Sequence, residues 1–294
     1  MRSVSRCVIC DSEKLYIYPS FTAPFIADRI WNTQPFEINL IRCRKCGFMF
    51  FNPRPTDEEL SKLYADYRSE EYQKQRYRHE KWYTAEINQS IGKNSVEVMN
   101  RKANLRTILQ SLMNLQNIER VLDYGGDSGQ YIIDELIHAE KWVYDISNAP
   151  LLPGIKRLNN LEDNRILKFD LIMCCHVLEH VPYPLEIVER IKELSHKDTI
   201  FYFELPYKAP WFSKSVIKQG INRLFYIHPN LTKFAYRQHL MHRTQMHEHI
   251  NYFLPSSLAN MLEICGLKVR YLESKQINVG RGTARILSCV ASLK

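Results

Sequence analysis

The sequence predicts an α/β fold: a mostly parallel sheet with an antiparallel edge, preceded by a small cysteine-bearing unit. Three observations predict it. First, the apolar run Val121-Leu122 leads through Asp123-Tyr124 into a glycine-rich turn, Gly125-Gly126-Asp127-Ser128-Gly129. A strand, a glycine turn and a helix start form a nucleotide-type pocket in α/β folds. Second, strand-like runs alternate with helical patterns from Ile118 onward. Third, two C-x-x-C pairs, Cys7/Cys10 and Cys43/Cys46, stand near the N-terminus.

Residues 1–52 form the first unit. Its two knuckles, Cys7-Val8-Ile9-Cys10 and Cys43-Arg44-Lys45-Cys46-Gly47, share one spacing and can close a tetrahedral thiolate site for zinc. Four cysteines leave no open coordination position, so the expected role of Zn2+ is structural. The segment between the knuckles is longer than a compact ribbon needs and apolar enough to fold as an insertion. Cys174, Cys175, Cys265 and Cys289 lie in apolar segments and read as small core residues.

Residues 53–117 read as a helical linker or lid. Asn52-Pro53-Arg54-Pro55 is stiff, and Thr56 with Glu59 matches a capping box. A helix should follow through Leu60, Leu63 and Tyr64. The stretch 66–93 is polar and rich in tyrosine and arginine, and a second helical pattern covers 99–115.

Residues 118–294 carry the α/β domain. Strands are expected at 120–124, 141–145, 169–175, 199–205, 268–274 and 284–292, with helices at 129–139, 184–195 and 256–265. Ser256 is the expected N-cap of the last helix and Gly266 its stop. Four strands alternating with helices, then two with none between, predict the parallel sheet and its antiparallel edge. The third strand is hidden somewhere between Ile146 and Phe169, in an abbreviated crossover.

No apolar run reaches the length of a membrane span, and the N-terminus lacks the apolar core of a signal peptide. The chain is therefore expected in the cytoplasm. Its net charge of +8 admits a nucleic acid, an anionic surface or a phosphorylated substrate, but equally a solvated basic surface. Residues 207–245 form an insertion in which Trp211, Phe212, Val216, Ile217, Ile221, Leu224 and Phe225 can share one helical face beside Lys214, Lys218 and Arg223. Such a helix (211–225) could make a peripheral contact with the inner membrane face. A lid over an acceptor pocket is the preferred reading, because insertions after a catalytic strand commonly build active sites.

The glycine loop carries two carboxylates, Asp123 and Asp127. They repel a pyrophosphate and suit a ligand bearing an ammonium and a sulfonium, as S-adenosylmethionine does. Asp145, after Trp142-Val143-Tyr144, stands where an acid at the end of a second strand takes both ribose hydroxyls.

The run Phe169-Asp170-Leu171-Ile172-Met173-Cys174-Cys175-His176-Val177-Leu178-Glu179-His180-Val181, with Asp123–Gly129 and Asp145, resembles the class I S-adenosylmethionine-dependent methyltransferases. That family ends its fourth strand in a signature like Leu178-Glu179-His180-Val181, on a Rossmann-like sheet. The knuckles, Asn52-Pro53-Arg54-Pro55, Tyr64, Tyr67, Tyr72, the run 247–253 and the turn 278–282 recur in that order in a narrower branch. This is similar to zinc-bearing methyltransferases of deoxysugar and cell-surface polysaccharide pathways. Branch members that methylate carbon carry a further C-terminal domain, so methylation of a sugar hydroxyl fits no worse. The resemblance implies a small-molecule or glycan acceptor, nucleotide- or lipid-linked.

It also implies roles. Gly125, Gly126 and Gly129 let the backbone approach the methionine part, Asp123 takes its amino group, and Asp145 holds the ribose. Asp163 or Glu162 faces the adenine, and His176 closes strand four at the ligand edge. Glu248 and His249 serve the proton transfer, with His180 the other candidate. The same residues could instead be a structural cluster before Pro255, and Tyr64, Tyr67 and Tyr72 could be core rather than lid. Two rival functions remain. One is an RNA methyltransferase that grips RNA with the zinc unit. Against it, that unit lacks a dense basic stripe, and no Asn-Pro-Pro-Tyr-like motif follows strand four. The other is a non-catalytic, zinc-stabilised binding module, with Asp127 as its support.

Overall fold

The computed structural model of the protein describes residues 1–93, 95–147, 149–161, 167–207, 245–280 and 282–294. The predicted insertion (208–244 within it) and both adenine candidates, Glu162 and Asp163, lie outside the described residues.

The N-terminal part alternates strand and helix: β1 (Leu15–Phe21), α1 (Pro24–Trp31), β2 (Glu37–Cys43) and β3 (Met49–Asn52). The three strands pair antiparallel, and β9 (Asn251–Tyr252) joins them from the far end of the chain, against Met49 and Phe50. Phe25, Phe48, Phe50 and Phe51 are fully buried around this sheet.

Four helices follow: α2 (Asp57–Tyr64), α3 (Glu70–His79), α4 (Ala85–Ser90) and α5 (Ser95–Leu112). The capping box at α2 is formed as expected. The Glu59 N–H donates to Thr56 Oγ1 at 3.3 Å, and Glu59 Oε2 accepts from the Thr56 N–H at 2.8 Å. Ser69 and Thr84 cap α3 and α4 in the same manner. The helical pattern predicted at 99–115 is α5, which starts earlier, ends at Leu112 and gives way to a 3₁₀ turn at Leu115–Asn117.

The main sheet has seven strands in the order β10-β11-β8-β7-β4-β5-β6. They are β4 (Arg120–Tyr124), β5 (Glu140–Tyr144), β6 (Ile155–Arg157), β7 (Phe169–Cys175), β8 (Ser195–Pro206), β10 (Leu267–Asn278) and β11 (Thr283–Leu293). The pairings from β6 to β8 are all parallel, and β11 runs antiparallel to both β8 and β10. The mostly parallel sheet is thus the expected one, and its antiparallel edge is a long hairpin. The hidden third strand is β6, only three residues long. The chain leaves β4 toward β5 and β6, then returns to β7 on the other side. That reversal puts a crevice at the carboxyl ends of β4 and β7.

Two expectations are corrected. No α-helix follows the glycine loop: residues 129–139 make turns and one 3₁₀ turn at Asp134–Leu136. Only residues 130–139 lie between the loop and β5, and they must also return the length of a strand, about 17 Å for five residues. A ten-residue helix would rise about 15 Å and leave nothing for its two turns. Ile132, Ile133 and Leu136 are buried without it, while Ile137 is 83% exposed. Second, Ser256 does not cap the last helix, α7 (Pro255–Ile264). Pro255 opens it, and Ser257 Oγ accepts from the Leu254 N–H at 2.9 Å. The helix expected at 184–195 is α6 (Pro184–Lys192), ended by the turn into β8. Among the described residues no helix is long and apolar enough to cross a membrane.

Candidate active site

The predicted cofactor residues meet at the switch crevice. Asp123, the penultimate residue of β4, lies inside the sheet, 0% exposed, and neither carboxylate oxygen has a hydrogen-bond partner. Burial pushes its pKa up to about 7, and Arg101 works against that rise. A bare carboxylate in a dry site is costly unless a cation meets it, so this group fits the ammonium of S-adenosylmethionine. The loop is built around it. A Cβ on Gly126 would lie 2.4 Å from Asp123 Cγ, and one on Gly125 (φ +73°) would lie 2.3 Å from Val177 Cγ2. Neither position accepts a side chain without moving its neighbour. Gly129 completes the turn, its N–H donating to the Gly126 carbonyl at 2.8 Å.

Asp145, just past β5, accepts from the Asp127 N–H at 2.8 Å and the Ser147 N–H at 2.7 Å. It therefore splices the glycine loop to the end of β5, where a ribose would lie. Asp127 sits at φ +54° and pairs with Arg68 Nη1 at 2.7 Å. The odd residue of the loop is thus an anchor for the segment between α2 and α3.

His176 closes β7 at φ +57°, with Nδ1 3.2 Å from Glu179 Oε1 and Nε2 3.5 Å from Glu204 Oε1. Glu204 is fully enclosed, but Arg101 Nε at 2.6 Å and the Tyr202 hydroxyl at 2.7 Å hold it ionised. Arg101 lies over the Tyr131 ring at 3.7 Å. Sequence reasoning missed Arg68 and Arg101. Arg68 lies in the turn between α2 and α3 and Arg101 on α5, neither within a motif, and each meets its partner only through tertiary folding.

The candidate proton-handling residues form a second cluster beyond His176. His180 Nδ1 is 2.9 Å from both the Tyr64 hydroxyl and the Glu248 carbonyl oxygen. Its ring meets that of His249 edge to face at 4.7 Å. Glu248 is not a free base. Tyr72 donates to its Oε1 at 2.9 Å, Arg76 Nη1 does so at 3.0 Å, and His247 Nδ1 is 3.6 Å from Oε2. Burial opposes its charge, yet His247 and Arg76 hold its carboxyl well below the usual range. Burial likewise opposes charge on His247, but Glu248 and Glu80 raise it to about 9. Tyr72 is fully buried and Tyr64 and Tyr67 line the cluster, ring against ring at 5.2 and 5.6 Å.

Three sequence motifs converge beneath this cluster. Arg54, fully buried, donates to the carbonyls of Pro182 (2.7 Å) and Val181 (3.3 Å) and to Asn251 Oδ1 (2.6 Å). Asn251 Nδ2 donates to the carbonyls of Leu178 and Val181. The proline linker, the Leu178–Val181 turn and the segment 247–253 are therefore one hydrogen-bonded joint. Burial lowers the Arg54 pKa to about 9, since no carboxylate faces it.

The four predicted metal-binding cysteines also come together. Cys7 and Cys46 sulfurs are 3.6 Å apart, Cys10 and Cys43 sulfurs 3.5 Å, and all four lie within 4.8 Å of one another. These are free thiols, too far apart for disulfides. A tetrahedral ion with sulfurs at about 2.3 Å has sulfur–sulfur edges of about 3.8 Å, so the donor set fits such an ion. A hydrogen bond from Cys46 is the main cause that lowers the Cys7 thiol from its ordinary value.

A family model described as a methyltransferase domain matches residues 70–272. Among solved structures, the fold is similar to the Burkholderia thailandensis 1,6-didemethyltoxoflavin-N1-methyltransferase with bound S-adenosylhomocysteine. The identity is 13%, the match covers 87% of this chain and 96% of that one, and the TM-score is 0.50. A SAM-dependent methyltransferase from Aquifex aeolicus is similar over 68% of this chain and 92% of that one, at 13% identity and a TM-score of 0.42. No curated protein matches the sequence. The family match spans most of the chain and includes the glycine loop, Asp145 and the Leu178–Val181 turn, so the chain belongs to the methyltransferase family, with the S-adenosylmethionine-dependent class I fold.

Proposed function

We propose that the enzyme transfers the methyl group of S-adenosylmethionine to a sugar, on oxygen or carbon, in the making of a surface polysaccharide or deoxysugar. The observation that carries the donor side is Asp123, a fully buried carboxylate with both oxygens unpartnered at the switch crevice. Asp123 takes the amino group, Asp145 the ribose, and the Gly125–Gly129 turn gives the backbone its close approach. When bound, the cofactor supplies a methyl carbon already activated by the sulfonium. The protein then has to align the acceptor and handle its proton.

The acceptor side is read at Glu179, His180 and His249. Val177 packs on Gly125, so the turn carrying these residues abuts the donor loop. His247 and Glu248 serve as positioning residues, since their charges are spent on Glu80, Arg76 and Tyr72. The cysteine site, read as structural zinc, braces β2 and the turn before β3. The sugar acceptor rests on the order of motifs shared with the polysaccharide branch. The test is a methyl-donor assay against nucleotide sugars and isolated surface glycans, with mass spectrometry of the product. Methyl transfer to RNA but to no sugar would overturn the acceptor; tight S-adenosylmethionine binding with no transfer to any acceptor would favour a binding module.

A further inference from the structure

The sequence reading left Glu179 without a role, yet it is a fully buried carboxylate at the acceptor end. It is 1% exposed, and its carboxylate oxygens find no partner other than the imidazoles around them. Three imidazoles face it. His176 Nδ1 is at ion-pair distance, 3.2 Å from Oε1, and His180 Nε2 is 3.8 Å from the same oxygen. His249 completes the group: one ligand atom each from Glu179, His180 and His249 lies within 4.8 Å of the others.

The hydrogen bonds around His180 place a proton on Nδ1. A carbonyl oxygen can only accept, so the 2.9 Å contact with the Glu248 carbonyl needs a proton on Nδ1. In the neutral ring Nε2 then presents its lone pair toward the Glu179 carboxylate. A lone pair facing a buried carboxylate is an arrangement that a cation between them relieves. A backbone carbonyl on Nδ1 is also the usual outer-shell partner of a metal-bound imidazole. Two imidazoles and one carboxylate suit a first-row divalent transition ion and leave coordination positions open.

We propose that Glu179, His180 and His249 bind a first-row divalent transition ion, distinct from the cysteine site, whose open positions hold an acceptor oxygen. This rests on the reading of the cluster as the acceptor end. Closing the ligand atoms from 4.8 Å to the roughly 3 Å between cis ligands is a small side-chain movement for His180 and His249, which are only partly buried. The neighbouring charges permit it. Glu248 is already neutralised by Arg76 and His247 and the Glu204 carboxylate by Arg101, so the cation that competes with the ion for Glu179 is His176, which Glu179 shares with Glu204.

The test is titration of the metal-stripped full-length protein with Co2+, followed by visible absorption and metal content. Two ions per chain are expected, one with the intense thiolate-to-metal bands of the cysteine site and one with the weaker bands of a nitrogen–oxygen site. His249→Ala should weaken the second ion by about 100-fold or more while leaving the thiolate bands intact. The thiolate bands also report folding, so a variant that fails to fold is recognised, and His249→Gln then replaces it. Uptake of a single ion by the wild type, or a second ion indifferent to both His249 variants, overturns the proposal. Calorimetry with S-adenosylmethionine separates the two readings: failure to bind it sinks the methyltransferase site whatever the metal does.

Discussion

Asp123 makes a prediction in two opposite directions. Its carboxyl titrates near 7 in the folded protein because burial opposes the charge, against 3.8 when exposed. The folded pKa is therefore raised. Below pH 4 both states are protonated and the full stability is present. Between about 4 and 7 the unfolded chain gives up the proton first, so stability is lost, and above 7 the loss is complete. Moving the carboxyl from 3.8 to about 7 corresponds to about 4 kcal/mol, an upper figure because buried sites relax. Asp123→Asn removes the charge at nearly constant volume. The variant without cofactor should be more stable than wild type at pH 8, by up to about 4 kcal/mol, and no more stable at pH 4. Its cofactor affinity should move the other way. Losing a charge-assisted bond of about 1.5–3 kcal/mol costs roughly tenfold to a hundredfold in Kd. Urea unfolding of both proteins at several pH values, with and without S-adenosylmethionine, reads both effects. Parallel pH profiles for the two proteins would refute the desolvated carboxylate. Unchanged affinity would refute its contact with the amino group.

His249→Ala should leave S-adenosylmethionine affinity within about twofold and lower turnover by about 100-fold or more, as separate binding and rate measurements would show; surviving turnover would place the proton or oxygen contact elsewhere. Arg54→Met should cost about 3 kcal/mol or more in thermal or urea unfolding, because the carbonyls of Val181 and Pro182 and Asn251 Oδ1 lose their donor in the interior. Asp127→Gly should keep the enzyme active, with a stability change within about 1 kcal/mol, since its ion pair with Arg68 is partly exposed; an inactive variant would make that pair essential. If the four cysteines hold zinc as proposed, a chelator should broaden or lower the unfolding transition, as calorimetry would show, and added zinc should reverse it.

Much of the geometry of the candidate donor site was legible because it is local. Asp123, the three glycines and Asp145 stand at the ends of short strands whose composition marks them, and the capping box at Thr56 needs only four residues. The cysteine pairs were legible by spacing. The missing helix at 129–139 was not, because Ile132, Ile133 and Leu136 would share a face in a helix as readily as they fill the turns observed. Only the length of the crossover decides between them, and that requires knowing where β5 begins. Arg68 and Arg101 were hidden for a different reason: Asp127 and Glu204 reach them through folding across 59 and 103 positions. Glu248 was misread in emphasis. Beside two histidines it looks like a base, but Tyr72 and Arg76, far upstream, occupy it.

The two-residue strand β9 also governs how this enzyme could be re-engineered. Around it, the Met246 N–H donates to Phe21, the Ala23 N–H to Met246 and the Phe51 N–H to Ile250, while the Ile250 and Asn251 N–H groups donate to Glu179. The chain's late segment is thus laced into its first sheet on one side and into the Leu178–Val181 turn on the other. A chimera exchanging residues 1–54 with a relative, to transplant a new acceptor preference, would leave that lacing unmatched. Residues 246–253 must travel with them, as two grafts taken from the same donor protein.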